Sequence, residues 1–487
     1  MSYLAIDLGA SSGRAVLGTL EPAPGGWRVA TREVHRFPVP LLEDAGRLSW
    51  DIDAVWDEVR TALGAALDLT PELRSVSVDS WAVDYVPLGR DGAPLRRPYA
   101  YRDPRTKGRL AETFRRIDRE RLYAVTGIQF LEINTLPQIV ADVIDEPELV
   151  ARTHRRLLIA DYFLYRLSGH AVAERTMAST TQLYDVWDGV WSHEIIRAAG
   201  DDPVRWPAIV NPGIVLGPVL PELLPAAVRR RPPIVVTSCS HDTAAAVAAV
   251  PASGSEPWAY ISSGTWSLVG AELSAPVLTA AAREAGFTNE VGLDGTIRFL
   301  KNRTGMWVLE ECLREWAAQD LNLAWDTLLG DAASSAGQRV IDLDAPQFGA
   351  RGGMVAKLAA ACRDAGAPAP ASPGETCRLV LESLADGYRR TLDELDALTG
   401  VRAGVVHVVG GGARNRLLNQ LTADACGRRV VAGPEEAAAL GNLLVQARAL
   451  GDLPAAAPLR AVAGASATLM EFAPRPVATG RPAVPTR

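Results

Sequence analysis

No uninterrupted apolar run in this chain is long enough to cross a bilayer as a helix. The first residues pass directly into a strand-like segment, with no basic region ahead of an apolar signal stretch, so a cytoplasmic protein without membrane association is expected. Cysteine is scarce. The five residues Cys239, Cys312, Cys362, Cys377 and Cys426 are scattered, odd in number and contain no CxxC pair, which excludes a zinc ribbon and a secreted disulfide framework. Cys362 and Cys377 bracket a Pro/Gly/Ala loop and are spaced to pair, but reduced thiols are expected in the cytosol. The six histidines show no metal-ligand spacing. Positive charge is not in excess either: 50 basic residues against 57 acidic ones give a net charge of −7, which argues against a polyanion-binding surface and hence against nucleic acid. What is present is 48% hydrophobic and 22% charged residues over 487 positions, the composition of a globular protein with two domains.

The most telling segment is Leu4 to Gly18, two apolar runs flanking a small polar turn. It reads as a β-hairpin whose tip carries Gly9, Ser11, Ser12 and Gly13, so that bare N–H groups and hydroxyls can approach a ligand. Arg14 adds a cation, and Asp7 places a carboxylate at the end of a buried strand, where an isolated charge is costly without a partner or metal. Together these are the parts of a phosphate–Mg²⁺ site. Ala259 to Gly270 repeats the pattern of strand, Ser/Gly/Thr turn and strand. Either hairpin alone is equally well a plain surface turn; the repetition points to a duplicated architecture with a ligand between the halves.

Apolar spacing predicts a helix over Trp50 to Leu67, strand-like structure from Ser75 to Leu88, mixed helix and loop over 109–200, a short buried strand after Arg231 and a small-residue helix over Ala244 to Val250. The turn-rich stretch Pro251 to Pro257 marks a boundary between domains at 1–250 and 251–453. The second half carries an amphipathic helix from Leu379 to Leu398 and ends in a strand that runs through Gly410, Gly411 and Gly412 into a helix. The Ala/Pro-rich tail, 454–487, is expected to be peripheral and poorly ordered.

Four constellations carry candidate chemistry. The triple glycine can turn bare backbone toward a nucleotide, or simply make a tight strand–helix turn. His241-Asp242-Thr243 follows a buried strand; Asp242 is placed as a general base, or as the N-cap of the alanine helix behind it. Asp79, Asp84, Arg102, Asp103 and Arg105 suit a polyhydroxylated ligand or a solvated ion-pair network. Lys301-Asn302-Arg303-Thr304, after a strand at Ile297 to Leu300, reads as a helix start that meets phosphate or serves as a cap.

The segments AIDLGASSGR, VDSWAVDYVPL, PYAYRDPRT, GIQFLEINTLPQ, ASTTQLYD, SHDTAAAV, AYISSGTWSLVG, FTNE, LKNRTGMW and the glycine-rich run from His407 occur in this order over roughly residues 1–450. In that combination the chain resembles the FGGY carbohydrate kinases. PYAYRDPRT, the GIQFL…NTL run and ASTTQLYD point to the branch that acts on L-rhamnulose. The resemblance implies an α/β fold of two ribonuclease H-like domains, of the actin/hexokinase type, flanking a catalytic cleft. It implies transfer of the ATP γ-phosphate to O1 of L-rhamnulose with Mg²⁺, in L-rhamnose degradation, by a monomer or homodimer. A sister kinase for L-fuculose or L-xylulose, and a non-catalytic ATP-binding regulator, are the alternatives.

Matched position by position, the resemblance makes Asp242 the proton acceptor and places His241, Thr243, Ala82 and Arg102 at the sugar. Ala10, Ser11, Ser12, Gly13 and Arg14 form the first phosphate loop, and Thr265 lies in the second. Asn302, Glu310 and Gly411 fall at nucleotide positions, and Asp7 orients Mg²⁺ through water. Three residues depart from the family pattern: Ala82 and Val291 stand where glycine is usual, and Glu310 where glutamine is frequent.

Overall fold

The computed structural model describes residues 1–337 and 340–475. The chain divides into two compact units. The first comprises Met1–Pro251, Glu272–Leu300 and Glu436–Ala467; the second comprises Ala252–Ala271, Lys301–Glu435 and the chain from Thr468. The sequence pattern predicts one contiguous cut after residue 250. In the structure two later segments instead return to the first unit.

The first unit is built on a six-stranded sheet in the order Val215–Pro218, Ile234–Val236, Ser75–Ser80, Ser2–Leu8, Ser12–Ala23, Gly26–Pro38. Ser2–Leu8 pairs antiparallel with Ser12–Ala23 and parallel with Ser75–Ser80, which in turn lies parallel to Ile234–Val236. Residues 3–8 and 75–80 are buried throughout, which is why these strands read as near-continuous runs rather than alternating ones. The helix Ile52–Leu69 is capped by the Asp51 carboxylate, which accepts from the Ala54 N–H at 3.2 Å, and it buries the stripe Val55, Trp56, Val59 and Leu63.

The returning segment Glu436–Ala467 is held by side chains that reach the central strands. In the helix Ala437–Ala449, Gln446 and Asn442 stand one turn apart on one face. The Gln446 amide donates to the Leu4 carbonyl at 3.0 Å and accepts from the Ser75 hydroxyl at 2.6 Å, while Asn442 donates to Asp79 at 2.6 Å. The tail expected to be peripheral therefore needs correction over its described part. The helix Leu459–Ser466 buries Leu459, Val462 and Ala463, the Ser466 hydroxyl accepts from the Val29 N–H at 2.8 Å, and Met470–Phe472 joins a sheet. Residues 476–487 lie outside the described part.

The second unit repeats the arrangement. Trp258–Ser263 pairs antiparallel with Trp266–Leu273 and parallel with Val405–Val409, as the first hairpin pairs with its own successor and a later strand. Arg429–Ala432 and Met470–Phe472 extend the sheet beyond Val405–Val409. The amphipathic segment is a helix over Pro373–Thr399, started by the Ser372 cap, and its Tyr388 hydroxyl meets the Ser267 hydroxyl at 2.7 Å. All five cysteines are free and buried, Cys362 and Cys377 included.

Candidate active site

The predicted hairpin tip is present in the first unit, between Leu8 and Ser12. Ser11 and Ser12 are exposed, and Gly9 N–H closes the turn on the Ser12 carbonyl at 3.0 Å. Gly13 is needed for space: a Cβ there would lie 2.3 Å from the Phe37 ring. Cross-strand register places Arg14 opposite Asp7, and its Nε donates to the Asp7 carboxylate at 2.8 Å while its other arm pairs with Glu436. The parallel neighbour of Asp7 is Asp79. Asp79 is fully buried and its Oδ1 has no hydrogen-bond partner; burial and the adjacent Asp7 carboxylate push its pKa well up, against the Asn442 amide.

His241-Asp242-Thr243 lies at the same carboxyl end of the sheet, because Ser80 N–H donates to the Ser240 carbonyl at 2.9 Å and Ser80 bridges His241. The helix there runs Asp242–Ala248, with His241 as its N-cap residue and no side-chain cap. Asp242 is thus the first helical residue, not the cap, and its carboxylate accepts from the Thr243 hydroxyl at 3.1 Å with 30% of its side chain exposed. Burial raises its pKa and the charge of Asp7 adds to the rise, opposed by His241. Behind it, Arg298 is fully buried and places one nitrogen 3.0 Å from His241 Nδ1 and 3.0 Å from the Glu290 carboxylate. His241 Nδ1 also lies 3.4 Å from the Glu290 carboxylate, and Nε2 faces Asp242 at 3.4 Å, so the ring is held between the two carboxylates. Burial would raise Glu290, but Arg298 and His241 outweigh it and hold the carboxyl below its ordinary value.

Four of the five charged residues of the 79–105 cluster, Asp79, Asp84, Asp103 and Arg105, are buried rather than solvated, and Arg102 is half-buried. Asp84 and Asp103 are buried, Asp103 accepts from the Leu48 N–H at 2.5 Å, and Arg105 donates to Asp142 at 2.7 Å in a buried network that also takes in Arg156 and Asp201. The cluster joins neighbouring segments into a rigid framework. Arg102 lies over the Tyr101 ring at 5.3 Å. Val291 ends a regular strand, Thr288–Val291, and donates its N–H to the Ser179 hydroxyl at 2.9 Å, so a side chain is accommodated without backbone strain.

In the second unit the turn Ser263 to Trp266 is clamped from behind. Met306 and Trp307 donate their N–H groups to the Gly264 and Thr265 carbonyls at 2.9 and 3.2 Å. A Cβ at Gly305 would lie 2.5 Å from the Gly264 carbonyl, so only glycine permits this approach. The expected helix start at Lys301 is a correction. The strand runs Ile297–Thr304 and the helix begins at Trp307, because the clamp keeps the chain extended up to Gly305. Asn302 therefore stands half-buried on a strand, whereas Glu310, on the helix, accepts from the Thr265 hydroxyl at 3.4 Å. The three glycines have separate duties. Gly410 takes φ +80°, Gly412 packs so tightly that a Cβ would lie 2.1 Å from the Ser263 hydroxyl, and Gly411 faces open space.

Residues 2–249 match the N-terminal domain, and residues 259–450 the C-terminal domain, of the FGGY family of carbohydrate kinases. The chain belongs to this family. It is a sugar kinase, a phosphotransferase with an alcohol group as acceptor. It is 41% identical over 475 residues to a rhamnulokinase of Klebsiella pneumoniae, covering 97% of this chain and 94% of the relative. A rhamnulokinase of Bacteroides thetaiotaomicron is 38% identical, covering 98% and 96%. Among solved structures, xylulose kinase from Lactobacillus acidophilus superposes with TM-score 0.77 at 17% identity (98% and 94% covered), and Plasmodium falciparum glycerol kinase with 0.74 at 14% (97% and 94% covered). These two likenesses establish the actin/hexokinase-like two-domain fold.

Glu290, Arg298, Asn442 and Gln446 serve the site and were not singled out by sequence. Each acts on a residue at least 49 positions away, and no local pattern marks such a partner. Among the described residues no group of three or more His, Cys, Asp or Glu is placed to hold a metal ion. One carboxylate, Asp7, beside the orphaned Asp79 oxygen, suits Mg²⁺, which keeps most of its waters and binds chiefly through substrate phosphates. No described helix is long and apolar enough to cross a membrane.

Proposed function

We propose that this kinase phosphorylates L-rhamnulose at O1 with ATP, giving L-rhamnulose 1-phosphate and ADP, in L-rhamnose degradation in the cytoplasm, as a monomer or homodimer. The observation that carries the reading is Asp242: a carboxylate not spent on capping, partly open, with a raised pKa and a buried histidine fixed beside it. Near-full-length similarity to rhamnulokinases supports the choice of sugar.

In this mechanism Asp242 orients the sugar hydroxyl and accepts its proton as the oxygen attacks the γ-phosphorus and the bond to ADP breaks. His241 and Thr243 hold the carboxylate and the sugar, with Ala82 and Arg102 along the sugar's other edge. Ala10 to Arg14 offer N–H groups, hydroxyls and a cation as the first phosphate loop, and Thr265 belongs to the second phosphate loop. Asn302, Glu310 and Gly411 receive the nucleoside. Mg²⁺, when bound, would neutralise phosphate charge, and Asp7 is the residue that would hold it through water.

A coupled ADP-release assay over L-rhamnulose, L-fuculose and L-xylulose tests the substrate. The largest kcat/KM is expected for L-rhamnulose; preference for L-fuculose or L-xylulose assigns the chain to a sister activity, and ATP binding without turnover on any of them removes the kinase mechanism. Asp7→Asn should raise the Mg²⁺ concentration for half-maximal rate by about tenfold or more, as loss of a group that orients metal-bound water does. A titration that superposes on the wild type would take Asp7 out of that role.

A further inference from the structure

Val83 has φ +70°, a region that a β-branched side chain enters only under strain. The Asp84 N–H donates to the Ala82 carbonyl at 3.0 Å, so Ala82, Val83 and Asp84 form a γ-turn in its strained form. Such a turn persists only where its surroundings over-determine it, and such strain concentrates at binding and catalytic sites.

The surroundings do over-determine it. The Val83 carbonyl accepts from the Thr135 hydroxyl at 2.7 Å. The fully buried Asp84 carboxylate accepts four hydrogen bonds: from Trp50 Nε1 at 2.7 Å, Trp81 Nε1 at 3.0 Å, Gln138 Nε2 at 2.8 Å and the Tyr101 N–H at 3.1 Å. The Trp50 and Trp81 rings pack 4.6 Å apart. All four donors are neutral, and among the described residues Asp84 makes no salt bridge. A buried carboxylate without a counter-charge is costly, and only its four-donor shell makes it tolerable. Burial pushes its pKa up to about 6, and the four donors pull against that rise. An asparagine of the same shape would turn an N–H₂ toward at least one of these donors.

The four donors come from four separate stretches of the first unit, and the turn they fix leaves the strand Ser75–Ser80 just beyond its bridge to His241. We propose that Asp84 is a positioning residue for the sugar: it ties Trp50, Trp81, Tyr101 and Gln138 to one point so that the strained turn holds Ala82 beside His241 and Asp242. This rests on the reading that Ala82 and Asp242 face the sugar.

The test compares wild type, Asp84→Asn, Val83→Gly and the double variant on the ketose that wild type turns over best. Asp84→Asn should raise the sugar KM by about tenfold while kcat falls less and the ATP KM stays within about twofold. Glycine takes φ +70° without strain, so in the double variant the sugar KM should recover by about half of its logarithmic loss or more. Unchanged sugar KM in a folded Asp84→Asn protein, a parallel rise of both KM values, or additive penalties in the double variant would each overturn the proposal. Should Asp84→Asn not fold, Trp81→Phe removes one donor and leaves the carboxylate: a rise confined to the sugar KM supports the role, and an unchanged value refutes it. No turnover by wild type on any ketose would overturn the underlying reading, and this proposal with it; turnover with no effect at Asp84 overturns this proposal alone.

Discussion

Asp242→Asn should keep the fold and lose about a hundredfold or more of kcat, the range expected when a general base is removed. The change is isosteric at a position where the side chain is partly open and makes one described side-chain hydrogen bond, to Thr243, so the melting temperature should move little. ATP and sugar KM should stay within about threefold, because the lost interaction matters most as the proton leaves the hydroxyl. The pH profile gives an independent check. The base works only when ionised, and burial and the Asp7 charge raise its pKa, so kcat/KM should fall as pH drops through a value above the ordinary aspartate range. That acidic limb should vanish in the asparagine variant. Near-normal turnover by a folded Asp242→Asn protein would leave Asp242 with a purely structural place at the start of its helix.

Gly441→Ala should be damaging although it adds one methyl group to a helix. A Cβ at Gly441 would lie 1.9 Å from the Ala245 carbonyl oxygen and 2.7 Å from its carbon. Both are backbone atoms, so no side chain can swing aside, and the helices Ala437–Ala449 and Asp242–Ala248 must separate. Alanine's intrinsic advantage in a helix, about 1 kcal/mol, is smaller than the overpacking cost of about 1–3 kcal/mol or more. Net destabilisation of about 2 kcal/mol is expected in denaturant unfolding. The helix that moves begins with Asp242, so kcat should fall as well, by as much as about a hundredfold for a displacement near 1 Å. Gly64→Ala is the control. Gly64 lies in the helix Ile52–Leu69 with open space around its Cβ position, and the same substitution there should be neutral or stabilising by up to about 1 kcal/mol. Equal effects at 441 and 64 would show that the close approach of the two helices is not what demands glycine.

These two predictions differ in how much of them was legible in the sequence. Asp242 was visible as a carboxylate at the end of a buried strand, but whether it was base or cap was not: one hydrogen bond separates the two, and local sequence does not encode it. Gly441 gave no signal, because its neighbour Ala245 is almost two hundred positions away. The charge cluster at 79–105 is visible as a group, suited to a polyhydroxylated ligand or to a solvated ion-pair network, but its burial is not, since sequence shows charges and not the tryptophans and tyrosines that fold over them. The segment 301–306 was read as a helix start for the same reason. Its polar residues look like caps until the clamp on the Ser263–Trp266 turn holds them extended.

By itself the sequence determined the two glycine-tipped hairpins, the helices of clear period and the family. Each of these is written in neighbouring residues: alternation, 3.6-residue spacing, and glycine where the backbone must come close. The tertiary structure alone decided that residues 272–300 and 436–467 belong to the first unit, that Asp7, Asp79 and Asp242 influence one another, that Arg298 stands behind His241, and that Asp84 is buried among four donors. Those are outcomes of burial and long-range hydrogen bonding. A carboxylate's charge, partners and pKa are set by whatever the fold brings within a few ångströms, not by its neighbours along the chain.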